Sequence, residues 1–179
     1  MKVLIDTCVL YPTVMREMVL GVAAQGAFQP LWSARILEEW ARAAIKLGAE
    51  GEAQARGEIA LLRADWPRAE VAVHPGLLSR LWLPDSDDIH VLAAAVSASA
   101  EAVMTLNAKD FPRGVLAEEG LTRVDPDGFL HDLWLADPDP VAAVGAQVLD
   151  RARELSGQDW DIRALLKKAR LPRLAKALA

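Results

Sequence analysis

The sequence has a single cysteine, Cys8, which excludes a disulfide within the chain. A lone thiol is typical of proteins in the reducing cytosol, so we expect a cytoplasmic location. Apolar stretches are also short. None reaches the length of a membrane span without a charge or a proline, so we expect no contact with a membrane. The first residues form an apolar run that ends at Asp6, a pattern that differs from a secretory signal.

Histidine is scarce, and the three that are present, His74, His90 and His131, are isolated from one another. No histidine or cysteine pair has the spacing of a zinc site, which argues against zinc. We expect each histidine in the core or on the surface rather than on a metal. Internal repeats and low-complexity segments are absent as well, which argues against a repeat architecture.

Apolar residues are abundant and make up 53% of the 179 positions. That fraction supports a real hydrophobic core and argues against a disordered chain. The length suits one domain of ordinary size, with at most a small appendage. Alanine and leucine dominate, which favours helices around a small sheet.

The net charge is −5, which argues against a generic nucleic-acid coat protein. The charge is unevenly distributed, because no acidic residue follows Asp161. Six basic residues lie in that last segment: Arg163, Lys167, Lys168, Arg170, Arg173 and Lys176. Two interpretations stay open, a solvated helix face or a local basic surface for phosphates or for an acidic partner.

Local patterns predict a chain in which strands and helices alternate. Short apolar or alternating segments predict five strands, at residues 2–5, 28–32, 70–74, 102–106 and 121–124. Helical spacing of apolar residues predicts helices at residues 13–25, 33–47, 50–64 and 89–100, from 126 onward, and at 139–155, 159–169 and 172–178. Ser33 is predicted to cap the second helix. Arg16 and Glu17 are expected on the polar side of the first.

The order of these segments predicts the fold class. Strands alternate with helices as far as residue 136, which indicates an α/β fold with a central, mostly parallel sheet flanked by helices. After that point only helical patterns occur. We therefore predict an α/β domain over residues 1–136 and a C-terminal helical extension over residues 137–179, packed on or beside it.

Acidic side chains fall at the points where these elements meet. They are Asp6 after the first strand, Glu38 and Glu39 on the second helix, Asp88 before a buried helix, and Asp110, with Asn107, after a later strand. Strand ends and the helix starts that follow them share one edge of a parallel sheet, so we expect one pocket. Taken alone, Asp6 could instead cap the next element. Clustered carboxylates repel one another, and Mg²⁺ or Mn²⁺ relieves that repulsion with oxygen ligands.

Four segments of the chain resemble a known family. They are Val-Leu-Ile-Asp6-Thr7-Cys8-Val9-Leu10, Ser33-Ala-Arg-Ile-Leu-Glu38-Glu39-Trp40, Asp85-Ser-Asp-Asp88-Ile-His-Val-Leu-Ala-Ala-Ala, and Val103-Met-Thr105-Leu-Asn107-Ala-Lys-Asp110-Phe111-Pro112. In this order they resemble the PIN-domain family of metal-dependent ribonucleases, and most of all the VapC-like toxins of bacterial toxin–antitoxin pairs. The helical tail around Leu171-Pro172-Arg173 resembles the extension of a subset of them.

The resemblance implies a set of acidic site residues. Asp6 matches the first metal-binding aspartate, and Asp88 matches the third acid. Glu39 matches the helix glutamate better than Glu38 does. Many members carry an aspartate where this chain has Asn107, so Asp110 is the expected carboxylate there and a third metal ligand. Asn107 is then a neutral hydrogen-bonding or water-mediated contributor.

Supporting roles are expected for residues in or near these motifs in the sequence. Thr7 or Thr105 would orient a carboxylate or a water through its hydroxyl. Arg16, and equally Arg35 and Lys109, would contact phosphates, although surface solvation explains each of them as well. Cys8, beside hard oxygen ligands, is expected to serve packing rather than chemistry.

The implied activity is Mg²⁺-dependent endoribonuclease cleavage, with Mn²⁺ able to substitute. The implied partners are an RNA substrate such as tRNA or rRNA, a cognate antitoxin and a second copy in a homodimer. Two alternatives within the fold are a housekeeping RNA-processing nuclease and a catalytically weakened module that binds RNA or protein. A phosphatase with an aspartate nucleophile would carry a second aspartate where Cys8 stands. A receiver domain would carry an acidic pair before Asp6, and none is present.

Overall fold

The computed structural model describes all 179 residues and contains a five-stranded, all-parallel sheet flanked by helices. The sheet order is β3-β2-β1-β4-β5. The strands are β1 (Lys2–Ile5), β2 (Gln29–Ser33), β3 (Glu70–Val71), β4 (Ala102–Met104) and β5 (Thr122–Val124). The predicted α/β class, with a parallel central sheet and C-terminal helices, is confirmed.

Eleven α-helices accompany the sheet. They are α1 (Thr7–Leu10), α2 (Thr13–Ala24), α3 (Ala34–Ala43), α4 (Ala49–Asp65), α5 (Pro75–Arg80), α6 (Ile89–Ser97), α7 (Arg113–Glu118), α8 (Pro126–Ala136), α9 (Pro138–Ser156), α10 (Ile162–Lys168) and α11 (Pro172–Ala177). Two 3₁₀ turns, Ala44–Leu47 and Ser86–Asp88, follow α3 and precede α6. None of the helices combines the length and apolarity needed to span a bilayer.

Contacts group the chain into two compact units. The first comprises Met1–Tyr11 and Gln29–Arg123, and the second comprises Pro12–Phe28 and Val124–Ala179. Helix α2 therefore belongs with the C-terminal helices although more than a hundred residues separate them in sequence. The domain division at residue 136 stays a prediction.

Strand β1 is the centre of the first unit. Its residues Val3, Leu4 and Ile5 are fully buried. They pair in parallel with β2 on one side, Leu4 opposite Leu31, and with β4 on the other, Ile5 opposite Met104. Helix α6 packs on β1 and β2 through small apolar residues, as its composition predicts. The residue after β1 therefore emerges in the middle of the carboxyl edge of the sheet.

Helix α3 begins at that same edge. The Ser33 hydroxyl accepts a hydrogen bond from the Ile36 backbone N–H at 3.3 Å, which confirms the predicted cap. The buried residues Ile36, Leu37 and Trp40 follow at helical spacing. Because these residues fix the rotation of the helix, the side chain of Glu39 is left half-exposed beside α1.

In the second unit, α2 packs against α8 and α9. A Cβ atom at Gly21 of α2 would lie 2.6 Å from Val144 Cγ1 of α9. Helices α2 and α9 therefore approach as closely as they do only because residue 21 is glycine. Arg16 was expected on the polar side of α2, and that expectation is wrong, since only 8% of the residue is exposed. Two helices cover α2, so its buried face is wider than a single stripe. Glu17 does form an ion pair, with Arg151 at 3.1 Å.

A buried carboxylate connects α8 to α11. Asp127 is 7% exposed, and its carboxylate accepts hydrogen bonds of 3.0–3.1 Å from the backbone N–H groups of Arg173 and Leu174. These are the second and third residues of α11. The N-cap residue of α11 is Leu171, whose side chain makes no capping hydrogen bond. Asp127 thus supplies from another helix the oxygen that an N-cap side chain normally provides.

Short elements account for most differences from the sequence prediction. Residues 7–10 form a helix where a turn was expected, and the helices α5 and α7 were not predicted. Each spans at most six residues, too few to show an apolar period. Strand β3 has only two residues instead of the predicted five, and α3 ends in a 3₁₀ turn rather than continuing to residue 47.

Candidate metal centre

Asp6 stands directly after the central strand, and its side chain is held by two donors. Its backbone N–H donates to the Met104 carbonyl at 3.0 Å, which continues the pairing with β4 by one residue. Its Oδ2 accepts hydrogen bonds from the Thr105 hydroxyl at 2.7 Å and from the Cys8 thiol at 3.1 Å. Neither donor contacts Oδ1. Although Asp6 is at the cap position of α1, its side chain makes no capping bond, so capping does not explain this buried carboxylate.

Thr105 connects the two strand ends. Its Oγ1, which donates to Asp6, also accepts from the Asn107 backbone N–H at 3.0 Å. The residue is almost fully buried, so its hydroxyl has a fixed set of partners. Thr105 therefore contacts the carboxylate of Asp6, and its predicted supporting role stays a prediction.

Glu39 reaches the same edge from α3. Its Oε1 lies 2.8 Å from His90 Nε2, and its Oε2 accepts from the Thr7 hydroxyl at 3.0 Å. Burial raises the pKa of Glu39, but hydrogen bonds from His90 and Thr7 and the charge of Arg35 outweigh it, so the pKa is lowered. Glu39 is therefore ionised at neutral pH. Its neighbour Glu38 is directed to other partners, the arginines Arg42 and Arg56.

A group of three carboxylates completes the edge. One oxygen from each of Asp85, Asp88 and Asp110 lies within 4.8 Å of the others. The Asn107 side-chain amide donates to Asp110 Oδ2 at 2.7 Å and to Asp88 Oδ2 at 3.4 Å. Asn107 thus bridges two acids through its side-chain amide, and its supporting role in the site stays a prediction.

The electrostatics link Asp6 to this group. Burial first, and then the negative charges of Asp6, Asp85 and Asp110, raise the pKa of Asp88 to about 6, while His90 opposes the shift. The carboxylates of Asp6 and Asp88 therefore repel one another, although Asp6 is not a member of the closest three.

The donor set fits a hard divalent cation. It contains only oxygen ligands, and Mg²⁺ at about 2.0–2.1 Å from each oxygen places opposite ligands about 4.2 Å apart. One oxygen from each of Asp85, Asp88 and Asp110 lies within 4.8 Å of the others, so a small inward movement would bring all three onto one cation. A cation would also relieve the repulsion that raises the pKa of Asp88. The ligand set predicted from the sequence, Asp6, Asp88 and Asp110, remains a prediction.

Two residues of this edge were missed by the sequence reasoning. Asp85 was treated only as part of an acidic run before a helix, although its i, i+3 spacing from Asp88 is a signal for a shared helical face. His90 was expected in the core or on the surface; it is buried at 3% exposure, and its bond to Glu39 has no sequence signal. Its other ring nitrogen, Nδ1, has no hydrogen-bond partner. The predicted phosphate contact Arg16 lies in the second unit.

We predict that Cys8 is chemically inert in the folded protein. Burial, together with the charge of Asp6, raises the pKa of the Cys8 thiol to about 12, so almost no thiolate forms at pH 8. Iodoacetamide at pH 8 is therefore expected to leave the native protein unlabelled by mass spectrometry. The same protein in denaturant serves as the control and should be labelled fully. Rapid labelling of native protein would contradict the geometry around Asp6.

We predict that Asp88→Asn stabilises the metal-free protein at neutral pH. Between the ordinary pKa of 3.8 and about 6, the folded state keeps a proton on Asp88 that the unfolded chain releases. Stability therefore falls as the pH rises through this window, and the asparagine variant escapes the loss. Thermal unfolding in EDTA should show similar midpoints just below pH 3.8, a higher midpoint for the variant already at pH 5, and the full difference at pH 7. A lower midpoint at pH 7 would show that the repulsion is absent.

Comparison with known families agrees with this geometry. Residues 2–109 match the family model described as PIN domain, which is more than half of the chain. The match includes Asp6, Glu39, Asp88 and Asn107 and ends one residue before Asp110. Searches of curated proteins and of solved structures returned no match. PIN domains are generally nucleases that depend on divalent metals. The chain belongs to the PIN-domain family.

Proposed function

We propose that the protein is a metal-dependent endoribonuclease that hydrolyses phosphodiester bonds of RNA. The observation that carries this proposal is the convergence of Asp85, Asp88 and Asp110, with Asp6 beside them, at the carboxyl edge of a PIN-domain sheet. A structural role explains such a group poorly, because mutual repulsion without a cation costs stability.

The proposed cation is Mg²⁺, with Mn²⁺ able to substitute, held by Asp6, Asp88 and Asp110. Asp85 is a further candidate ligand because its carboxylate belongs to the closest group. When bound, such a cation lowers the pKa of a water molecule and stabilises the charge that develops on the phosphate. The Asn107 amide would keep Asp88 and Asp110 oriented towards it.

The remaining side chains would position the reacting groups. Glu39 is ionised, and Thr7 and His90 hold its two oxygens, so it would orient the attacking water or take a proton from it. Thr105 and Cys8 would keep Asp6 Oδ2 in place and direct Oδ1 to the cation.

Metal-dependent cleavage tests the proposal directly. Purified protein incubated with total RNA is expected to produce fragments in Mg²⁺ or Mn²⁺ and none in EDTA. Fragment ends mapped by sequencing would identify the RNA and the position cut, including any tRNA or rRNA site. A 5′-end-labelled RNA distinguishes internal cuts from trimming. Cleavage that persists unchanged in EDTA would refute the proposed chemistry.

The biological role that we propose is the toxin of a toxin–antitoxin pair, as the resemblance to VapC-like proteins implies. The expected partners are a cognate antitoxin that blocks the acidic edge of the sheet and a second copy of the chain. Growth arrest on induced expression, relieved by a neighbouring small gene, would support the toxin role. Normal growth with cleavage in vitro would favour the housekeeping RNA-processing nuclease.

One observation supports an alternative function. Asn107 stands where many family members have an acid, and its amide donates to two carboxylates that would otherwise be free for a cation. The alternative is a PIN fold with weakened catalysis that binds RNA or protein. Binding of RNA without any cleavage in Mn²⁺ would favour it.

A further inference from the structure

We propose that the exposed face of α10 and α11 is a binding surface for the phosphate backbone of single-stranded RNA. The inference rests on the proposed function for the identity of the polyanion. The surface is formed by the side chains of Arg163, Lys167, Lys168, Arg170, Arg173 and Lys176, and is here named the basic face.

The charges of the basic face are exposed and not neutralised. All six side chains belong to exposed residues, and none forms an ion pair. The two arginines on α9 differ, because Arg151 pairs with Glu17 at 3.1 Å and Arg153 pairs with Asp159 at 3.7 Å. Both arginines of α9 therefore have a carboxylate within 4 Å, whereas no cation of the basic face forms such an ion pair.

Packing fixes which way these cations point. Leu165 and Leu166 are buried on α10, and Leu174 and Ala175 are buried on α11. Arg163 and Lys167 are one helical turn apart on α10, so their like charges share a face and repel. Arg173 and Lys176 have the equivalent i, i+3 relation on α11. A bound polyanion attracts both cations of each pair and so offsets their mutual repulsion.

The charge balance of the whole chain explains why such a face is needed. Residues 162–179 contain six cations and no acidic side chain, whereas the chain as a whole has 25 acidic against 20 basic residues. The rest of the surface is therefore strongly acidic and repels RNA. A protein that acts on RNA requires a cationic surface, since contacts to phosphates supply most of the non-specific affinity.

An apolar pocket of about 360 Å³ in the second unit suggests a different occupant, a protein segment. Lys168 lines it, with its ammonium 4.9 Å from the centre of the Trp160 ring, and Leu155 forms part of its edge. Only this one of the six cations lines the pocket. The other five extend along two helices and the turn between them, which fits a chain of phosphates better than one anchored peptide.

Binding of RNA to the full chain tests the proposal. Every protein carries Asp6→Asn so that RNA is not consumed, and the buffer contains EDTA. The probe is a fluorescein-labelled single-stranded RNA of mixed sequence, followed by anisotropy from 50 to 200 mM salt. The test variant is Arg163→Glu/Lys167→Glu. Its matched control is Lys46→Glu/Arg68→Glu, which reverses the charge of two exposed cations in the first unit. In both variants one of the two replaced cations lies in the last turn of a helix, Lys46 in the control and Lys167 in the test variant.

We expect the test variant to bind RNA about tenfold more weakly at 100 mM salt, and its salt slope to decrease by about 1.4, because each phosphate contact contributes about 0.7. The control should bind like the Asp6→Asn parent. Equal affinity and salt slope for all three proteins would overturn the proposal, and so would an Asp6→Asn parent that binds no RNA. Either result would favour an acidic protein as the partner of the basic face. Thermal unfolding confirms that each variant is folded. A wild-type chain that cleaves no RNA refutes the proposed function separately.

Discussion

Replacing Asp6 by asparagine is expected to lower RNA cleavage by more than about 100-fold, since removing even the partners of a metal ligand typically costs tenfold to 100-fold. The amide keeps the size of the side chain and can still accept from Thr105, so the fold survives. It lacks the negative charge that a cation at this edge requires. The rate of cleavage of an end-labelled RNA in Mg²⁺ measures the effect.

The matched control is Asp87→Asn. Asp87 belongs to the same acidic run and is exposed, but its carboxylate is not in the group formed by Asp85, Asp88 and Asp110. The substitution makes the same change in net charge and should leave cleavage within about twofold, because surface charges contribute little. Full activity of Asp6→Asn would remove Asp6 from the site, and equal losses in both variants would point to a general effect of charge.

Replacing Asp127 by alanine is expected to reduce the free energy of unfolding by about 2–4 kcal/mol, because hydrogen bonds to a charged group are lost and one of their donors, the Leu174 N–H, stays buried. The Leu174 N–H is buried and would have no acceptor at the start of α11. Urea unfolding, followed by circular dichroism, measures the change.

Asp125→Ala provides the comparison for Asp127→Ala. Asp125 caps its own helix by accepting from the Gly128 N–H at 2.8 Å, so its loss should cost about 1 kcal/mol. Asp127→Asn keeps an acceptor oxygen and should lie between the two. A cost for Asp127→Ala no larger than that for Asp125→Ala would show that α11 does not depend on this carboxylate.

The sequence predicted the sheet and most of its edge for a physical reason. Buried parallel strands are continuous apolar runs, and strand β1 is such a run from Val3 to Ile5, followed directly by the charged residue Asp6. Parallel order then brings the ends of β1 and β4 together without further information. Asp88 and Asp110 could be assigned to the same edge because each stands at a boundary between elements.

The pairing of side chains within the edge could not be predicted. Whether Glu39 meets His90, and whether Asn107 bridges Asp88 and Asp110, depends on helix rotation and on rotamers, which composition does not determine. The burial of Arg16 could not be predicted for a similar reason. It depends on contacts with α8 and α9, which lie far away in sequence.

The packing of α2 against α9 has a consequence for synthesis on the ribosome. Helix α2 ends at Ala24, and its partner α9 begins only at Pro138. At a translation rate of about 5–20 residues per second, the apolar face of α2 stays without its partner helix in the nascent chain for roughly 6–25 s. A chaperone is expected to protect it during that interval. Ribosomes stalled before residue 138 should therefore carry a protease-sensitive N-terminal segment that becomes resistant only when translation finishes.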